Sequence, residues 1–360
     1  MKKIIFSIAI LFAVVAGYSQ GLENVIVEKY YEASAADASL DPDGNLVADA
    51  VTYRIFIDMA AGYRLSSVFG VPENTTTGYP GHTLFFETTT NFINNLDRGD
   101  AIANSIGSSR VTDNTVALDS WLSLGASSGG HSALLKGSDS DGSLLSQFTN
   151  SGADFTDLAT NDGFIAGTPE GVSIIPAALE TQINSIFGTG SGLTGPRFEV
   201  VDGSWYSFNG ATGADSDNMV LVAQITTDGD LSFELNVQLI DAAGNAENWV
   251  ARDATGASEI QSDLLSFTTV NLAPSVTLDP LASTSFFEGE TVSGSAVAAD
   301  PDGSVAQVEF FIDGVSVTVD NAAPYEFSAP VGAVGTHVIT AEVTDDQGTV
   351  VASTNNLTYT

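Results

Sequence analysis

Hydrophobic and polar positions along most of the chain form short alternating runs, and this pattern predicts an all-β protein. The runs are rich in β-branched and aromatic residues and are separated by clusters of Gly, Asn, Asp and Ser. Strands of a sandwich or barrel carry this pattern, because successive side chains point to opposite faces and turn residues separate the strands. The clearest runs are Val51–Ile57, Thr83–Thr88, Met219–Thr226, Leu231–Ile240 and Ile339–Val343.

One segment has a helical period instead. Its apolar residues recur every three or four positions, Pro176 suits a first helical position, and Gly188 is suited to end a helix. The pattern predicts a short helix over Pro176–Phe187, with an irregular loop as the alternative. The predicted apolar face consists of Leu179, Ile183, Ile186 and Phe187.

The chain begins with the features of a secretory signal peptide. Lys2 and Lys3 precede the apolar run Ile4–Ala16, and small residues follow at Gly17 and Ser19. This order of charged, apolar and small residues predicts cleavage after residue 19, ahead of Gln20. The apolar run is too short for the alternative, a membrane anchor, which needs about 20 apolar residues. We therefore expect a secreted or cell-surface protein without membrane insertion.

The remaining length suits two domains. Pro274 cannot donate a backbone hydrogen bond inside a sheet, so the segment 271–274 is predicted to be a linker. We expect a β-sandwich domain at 20–270 and a second one at 275–360. The chain has no cysteine, so it can carry neither a disulfide nor a thioether-linked lipid. Its stability must come from hydrophobic cores, with or without bound metal ions.

The charge of the chain limits its partners. After removal of the signal peptide, 45 acidic residues face 8 basic ones, a net charge of −37. Such a surface repels phosphate backbones and anionic bilayers, so a nucleic-acid partner is not expected. Two interpretations of the acidity stay open, namely solubility in an external medium and binding of divalent cations.

The C-terminal segment can be divided into about seven strands with turns between them, namely Ser275–Leu278, Thr291–Ala299, Val305–Ile312, Val315–Val319, Pro324–Phe327, His337–Thr344 and Val350–Tyr359. Asp300–Gly303 is a strong turn, and Asp313 with Gly314 forms a hairpin signal. Together with Ala323–Phe327 and Gly335–Gly348, these elements resemble the bacterial immunoglobulin-like modules of secreted chitinases, cellulases and surface adhesins. The resemblance covers nearly all of 274–360. It implies a spacer or adhesion module with an immunoglobulin-like fold.

Acidic residues in two turns of this module suggest a calcium site. In a sandwich of this topology, the loop after the second strand and the loop before the last one emerge at the same pole. These loops carry Asp300 and Asp302, and Asp345 and Asp346. Four carboxylates repel one another unless a hard cation such as calcium neutralises them. The alternative is that the acids are ordinary solvated turn residues.

The N-terminal domain has little recognisable chemistry. It lacks a cysteine nucleophile, a Gly-x-Ser-x-Gly elbow, a phosphate-binding Gly loop and an HExxH motif, so we predict no catalytic residue. A carboxylate pair would suffice for glycoside hydrolysis, but no pair stands out. Adjacent strand residues face opposite ways, so one of Trp205 and Tyr206 is expected to point outward as a ligand-binding ring. Core packing is the alternative for each tryptophan.

Several segments of this domain, among them Val27–Gly70, resemble N-terminal regions of secreted surface proteins from bacteria with type IX secretion. That group supplies no site residues. The leading hypothesis is a binding or adhesion protein whose N-terminal domain contacts an extracellular glycan or cell-surface protein. The alternatives are a structural component of an extracellular array and a polysaccharide-degrading enzyme with an accessory domain.

Overall fold

Strands dominate the chain, and the all-β prediction is confirmed. A computed structural model describes residues 21–41, 43–145, 158 and 160–360. The chain divides into two units, Met1–Thr269 and Val270–Thr360. The predicted signal peptide, 1–19, lies outside the described residues. Within the described ranges, no helix has both the length and the apolar composition needed to span a membrane.

The first unit is built from several small sheets. Its strands are β1 (Leu22–Glu32), β2 (Val51–Met59), β3 (Arg64–Gly70), β4 (Leu84–Thr88), β5 (Phe92–Ile93), β6 (Trp121–Leu122), β7 (Ala126–Ser128), β8 (His131–Ala133), β9 (Phe164–Ala166), β10 (Ser173–Ile175), β11 (Leu193–Thr194), β12 (Arg197–Val200), β13 (Gly203–Ala211), β14 (Met219–Thr227), β15 (Leu231–Glu234), β16 (Asn236–Ile240), β17 (Ala246–Val250), β18 (Glu259–Gln261) and β19 (Ser266–Thr268). The largest sheet has six strands in the order β10-β13-β3-β16-β17-β18. Two four-stranded sheets have the orders β1-β2-β14-β6 and β12-β4-β15-β19. The strands β7-β8-β9 form a three-stranded sheet, and β11 pairs with β5.

The sheet β1-β2-β14-β6 has a hydrophobic cluster on each face. Val220 and Val222 of β14 belong to one cluster, which includes residues of the six-stranded sheet, and Leu221 belongs to the other. All nine residues of β14 are therefore buried. This explains the continuous apolar run in the sequence, because a strand covered on both faces has no solvent side on which polar residues are favoured.

Among its described residues, the first unit also has the α-helices α1 (Ala35–Ala38) and α2 (Ala177–Phe187). The predicted helix is confirmed as α2, with Pro176 at its N-cap and Gly188 at its C-cap. Leu179, Ile183 and Phe187 are buried, as the apolar period predicts. Ile186 is only partly buried against the same core.

The predicted strand Leu231–Ile240 is wrong in one respect, because it is two strands. β15 pairs with β4 and β19, whereas β16 pairs with β3 and β17. The chain changes sheets at Leu235, which is buried and donates its backbone N–H to Leu265 O over 2.9 Å. A corner with a buried side chain leaves the hydrophobic pattern unbroken, so the sequence does not reveal it.

The second unit is a two-sheet sandwich. Its strands are β20 (Ser275–Leu278), β21 (Thr291–Ala299), β22 (Val305–Ile312), β23 (Val315–Asp320), β24 (Tyr325–Pro330), β25 (His337–Asp345), β26 (Val350–Ala352) and β27 (Leu357–Tyr359). The sheets are β20-β21-β24 and β23-β22-β25-β26, with β27 also pairing with β25. Phe310 and Phe327 meet in the core with ring centroids 5.0 Å apart. The predicted last strand, Val350–Tyr359, is interrupted and forms β26 and β27.

Candidate functional site

Neighbouring residues of β13 point to opposite faces of the six-stranded sheet. Trp205 is fully buried in the core, where its Nε1–H donates to Ser123 O over 3.1 Å. This position contradicts the assignment of Trp205 as a ligand-binding ring, because no face of its indole is open to a ligand. Tyr206 is half-buried and lies on the outer face. The other two tryptophans, Trp121 and Trp249, are core residues too.

Tyr206 belongs to a row of polar side chains that crosses all six strands. Each member lies directly opposite the next in the strand register, so all of them share the outer face. The row consists of Ser173, Tyr206, Ser67, Gln238, Asn248 and Glu259. Gln238 Nε2 donates to Asn248 Oδ1 over 2.9 Å, so the two amides orient each other.

A second aromatic ring stands beside Tyr206. Phe208, two residues further along β13, is 85% exposed, and its ring meets Tyr206 edge-to-face at 5.1 Å between centroids. The strand register shifts between Tyr206 and Ala211, and Phe208 lies within this irregular stretch. Phe208 was not among the residues predicted from the sequence. Its period-two spacing from Tyr206 was the available signal.

A cavity of about 360 Å³ lies beside the row. Four row members line it, namely Ser67, Gln238, Asn248 and Glu259. The remaining lining residues are Phe69, Gly70, Val71, Tyr79, Asp202, Gly203 and Ser204. The cavity is therefore lined by hydroxyl, amide and carboxylate groups together with the aromatic rings of Phe69 and Tyr79.

Tyr79 reaches the cavity from the loop between β3 and β4. Bridges between Val71 and His82 and between Asn74 and Tyr79 close this loop. Gly81 has a φ of 72°, and a Cβ there would lie 2.5 Å from the Glu73 nitrogen. Only glycine fits this close approach in a left-handed conformation.

Glu259 anchors the same loop. Its Oε1 accepts a hydrogen bond from Tyr79 Oη over 2.8 Å, and its Oε2 lies 3.0 Å from His82 Nε2. The Thr255 backbone N–H and hydroxyl also donate to Oε2. Burial acts to raise the pKa of Glu259, but the hydrogen bonds from Thr255, Tyr79 and His82 outweigh burial and lower the pKa to about 2. Glu259 is therefore ionised at neutral pH and lacks the raised pKa that a general acid in glycoside hydrolysis needs.

We expect Glu259→Gln to weaken the pH dependence of the first unit's free energy of unfolding at acid pH. The folded-state pKa of about 2 lies below the ordinary value of 4.5, so ionised Glu259 stabilises the fold above about pH 4.5. That contribution is lost as the pH falls from about 4.5 towards 2. Urea midpoints followed by tryptophan fluorescence between these pH values measure the effect, since all three tryptophans lie in Met1–Thr269. Glu73→Gln, at an exposed position of the same loop, is the control, and its urea midpoint should change with pH as that of the wild type does. The same pH dependence in Glu259→Gln as in the wild type would contradict the anchoring role.

The four acids predicted to bind calcium lie in two turns at one pole of the second unit. Backbone groups already bind three of them: Leu272 N donates to Asp302 Oδ2, Ser304 N to Asp346 Oδ1 and Thr349 N to Asp345 Oδ1. Asp300 differs, because both of its carboxylate oxygens are buried and make no hydrogen bond of normal geometry. Burial and the charges of Asp302 and Asp345 raise the pKa of Asp300, although a hydrogen bond from the Asp302 backbone acts to lower it.

Asn271 lies at the same pole. Its Nδ2 donates to Asp345 Oδ2 over 2.8 Å, while its Oδ1 is buried without a partner. Among the residues that the structure describes, however, no group of three or more His, Asp or Glu side chains is arranged to hold a metal ion as it stands. The exposed Asp346 side chain does lie near Asp300, since Asp346 Oδ1 and Asp300 Oδ2 are 2.4 and 2.7 Å from the position that a Cβ on Gly303 would take.

Comparisons with known proteins concern part of the chain. No curated protein matches it. A fibronectin(III)-like module of Clostridium thermocellum CbhA is 29% identical, with 23% of this chain and 92% of that chain covered and a TM-score of 0.21. The PKD1 domain of Vibrio anguillarum Epp is 21% identical, with 25% and 96% covered and a TM-score of 0.20.

The resemblance of the N-terminal region to surface proteins of type IX secretion bacteria finds no support in these comparisons. The predicted immunoglobulin-like character of the C-terminal segment is confirmed, since residues 274–353 match the family model described as a bacterial Ig domain. Residues 274–353 therefore form a bacterial Ig domain.

Proposed function

We propose that this chain is an extracellular binding protein of the accessory or adhesion type, in which the first unit binds a glycan. The bacterial Ig domain supports the extracellular setting and serves as a spacer. The outer face of the six-stranded sheet is the binding surface. Cell-surface attachment and free secretion are both compatible with this role.

The polar row beside the exposed Phe208 ring and the half-buried Tyr206 ring carries this proposal. Sugars offer apolar ring faces together with many hydroxyls, so their sites combine an aromatic surface with hydrogen-bonding side chains. Tyr206 and Phe208 provide the rings, and Gln238 and Asn248 provide the amides. Phe208 is 85% exposed, so its ring is free to stack on the apolar face of a sugar.

Retention on insoluble neutral polysaccharides tests the proposal. The chain from residue 21 onward should be retained, and the double substitution Tyr206→Ala with Phe208→Ala should weaken binding at least about tenfold, or about 1.4 kcal/mol. Phe287→Ala is the matched control, because Phe287 is an 81% exposed phenylalanine of the second unit. Equal retention of the double variant and the wild type would place the glycan elsewhere, and no retention on any polysaccharide would overturn the proposal.

We also propose that calcium binds at the acidic pole of the second unit. The buried oxygens of Asp300, which make no hydrogen bond of normal geometry, and the buried, unpartnered Asn271 Oδ1 favour this, because a cation would give these oxygens a partner. The ion would lower the repulsion among the acids and stabilise the sandwich.

Calorimetry with calcium and with chelator tests this site. Calcium at about 100 times its Kd should stabilise the second unit by about 2.7 kcal/mol and raise its Tm. Asp302→Asn should abolish the shift, whereas Glu288→Gln, which removes an exposed charge outside the two turns, should retain it. An unchanged Tm at millimolar calcium would favour solvated turn acids instead.

A further inference from the structure

The polar row is elongated. It crosses six strands, and five spacings of 4.7–4.9 Å give a length of about 24 Å. Tyr206 and Phe208 lie on β13, towards its β10 end, and the lining of the cavity extends from Ser204 on β13 to Glu259 on β18. A ligand that contacts the rings on β13 and also reaches Glu259 on β18 would be extended and would lie across the strands.

The charges at the cavity end have one sign. Asp202 and Glu259 line the cavity, and the residues around it include neither lysine nor arginine. The low pKa of Glu259 keeps its carboxylate ionised. The four hydrogen bonds of that carboxylate are made with Tyr79, His82 and Thr255 of this chain. Glu259 therefore contributes negative charge to the cavity and is not a free ligand-binding group.

A basic residue does lie near the rings. Arg64 Nη1 donates to Asn209 O over 2.7 Å, and the Arg64 Cβ is 2.9 Å from the position that a Cβ on Gly210 would take. The guanidinium is thus directed to a backbone carbonyl beside Phe208. Arg64 is one basic group at one end of the row. An anionic polymer carries a charge on successive units along its whole length, so Arg64 could neutralise only a small part of that charge.

Resting on the proposed function, we infer that the ligand of this face is an uncharged, extended polysaccharide segment that lies across the strands of the six-stranded sheet. The neutral amides of Gln238 and Asn248 bind hydroxyl groups in the middle of the row. The carboxylates at the cavity end exclude polyuronates and sulfated chains by charge repulsion. The net charge of the whole chain acts in the same direction.

Soluble oligosaccharides of matched length test this inference by calorimetry. A neutral glucan hexamer should bind at least about tenfold more tightly than an oligouronate hexamer at low ionic strength, and about 0.5 M salt should narrow the difference by screening. Asp202→Asn should tighten oligouronate binding severalfold. Asp228→Asn, an exposed acid in the turn between β14 and β15, makes the same charge change away from the cavity and should alter nothing.

The length of the oligosaccharide gives an independent readout. Affinity should rise from the neutral dimer to the neutral hexamer, because only the longer chain spans the rings and the cavity. Equal affinity for dimer and hexamer, or an oligouronate that binds as tightly as the glucan, would overturn the inference while leaving the glycan site in place. Binding by no oligosaccharide of either kind would overturn the proposed function itself, so the two failures are distinguishable.

Discussion

Replacing Trp205 by alanine should destabilise the first unit by about 3–5 kcal/mol, the usual cost of removing a large aromatic side chain from a core. Trp205 has no exposed surface, and its loss would also leave Ser123 O without its hydrogen bond from the indole. Urea unfolding followed by the fluorescence of the remaining tryptophans reports this unit alone, because Trp121 and Trp249 lie in it as well.

Two comparisons make the Trp205 result specific. Trp205→Phe keeps an aromatic ring in the core, so it should cost clearly less than Trp205→Ala. Phe208→Ala removes a ring from the other face of the same strand, and a change at an exposed position should stay within about 0.5 kcal/mol. A small effect of Trp205→Ala would mean that the indole is not packed in the core, and the inward and outward assignments along β13 would then be wrong.

Replacing Arg54 by alanine should cost about 3 kcal/mol or more. Arg54 is fully buried on β2, where its guanidinium carbon lies 3.6 Å from the centroid of the Tyr30 ring and 4.9 Å from that of Phe164. Its Nε donates to Gln224 Oε1 over 2.9 Å. Alanine would leave a cavity between two rings and a buried amide oxygen without its donor.

Methionine should restore most of that stability at position 54. No carboxylate in the described ranges forms a direct ion pair with Arg54, although its charge acts to lower the pKa values of Glu28 and Asp162. A buried charge that lacks a direct ion pair adds little net stability. Arg54→Met keeps the volume and should therefore cost less than half as much as Arg54→Ala. Arg110→Ala, at an exposed arginine, is the control. If methionine proves as damaging as alanine, the charge of Arg54 rather than its volume is required.

The sequence predicts much of the second unit, because several of its strands alternate and end at strong turns. The predicted strands Ser275–Leu278, Thr291–Ala299 and Val305–Ile312 coincide with β20, β21 and β22. The first unit is harder to predict, because β14 is buried on both faces and the change of sheet at Leu235 leaves no polar residue in the run. Hydrophobic alternation marks faces, but it does not mark corners.

The site was predictable only in part. Alternation requires Trp205 and Tyr206 to face opposite ways, but it does not say which of them faces outward. Tyr206 meets Gln238, Asn248 and Glu259 through the register of strands that are distant in sequence. Pairing between strands separated by long connections depends on tertiary packing, so the row cannot be derived from the sequence of any single strand.

The central claim, that the outer face of the six-stranded sheet binds a glycan, is tested most directly by backbone amide NMR. A neutral glucan hexamer is titrated into the isotope-labelled chain from residue 21 onward. The account predicts saturable shift changes along the row from Ser173 to Glu259 and at Phe208, with the second unit unaffected. Saturable changes confined to any other surface, or no changes at millimolar hexamer, would contradict it.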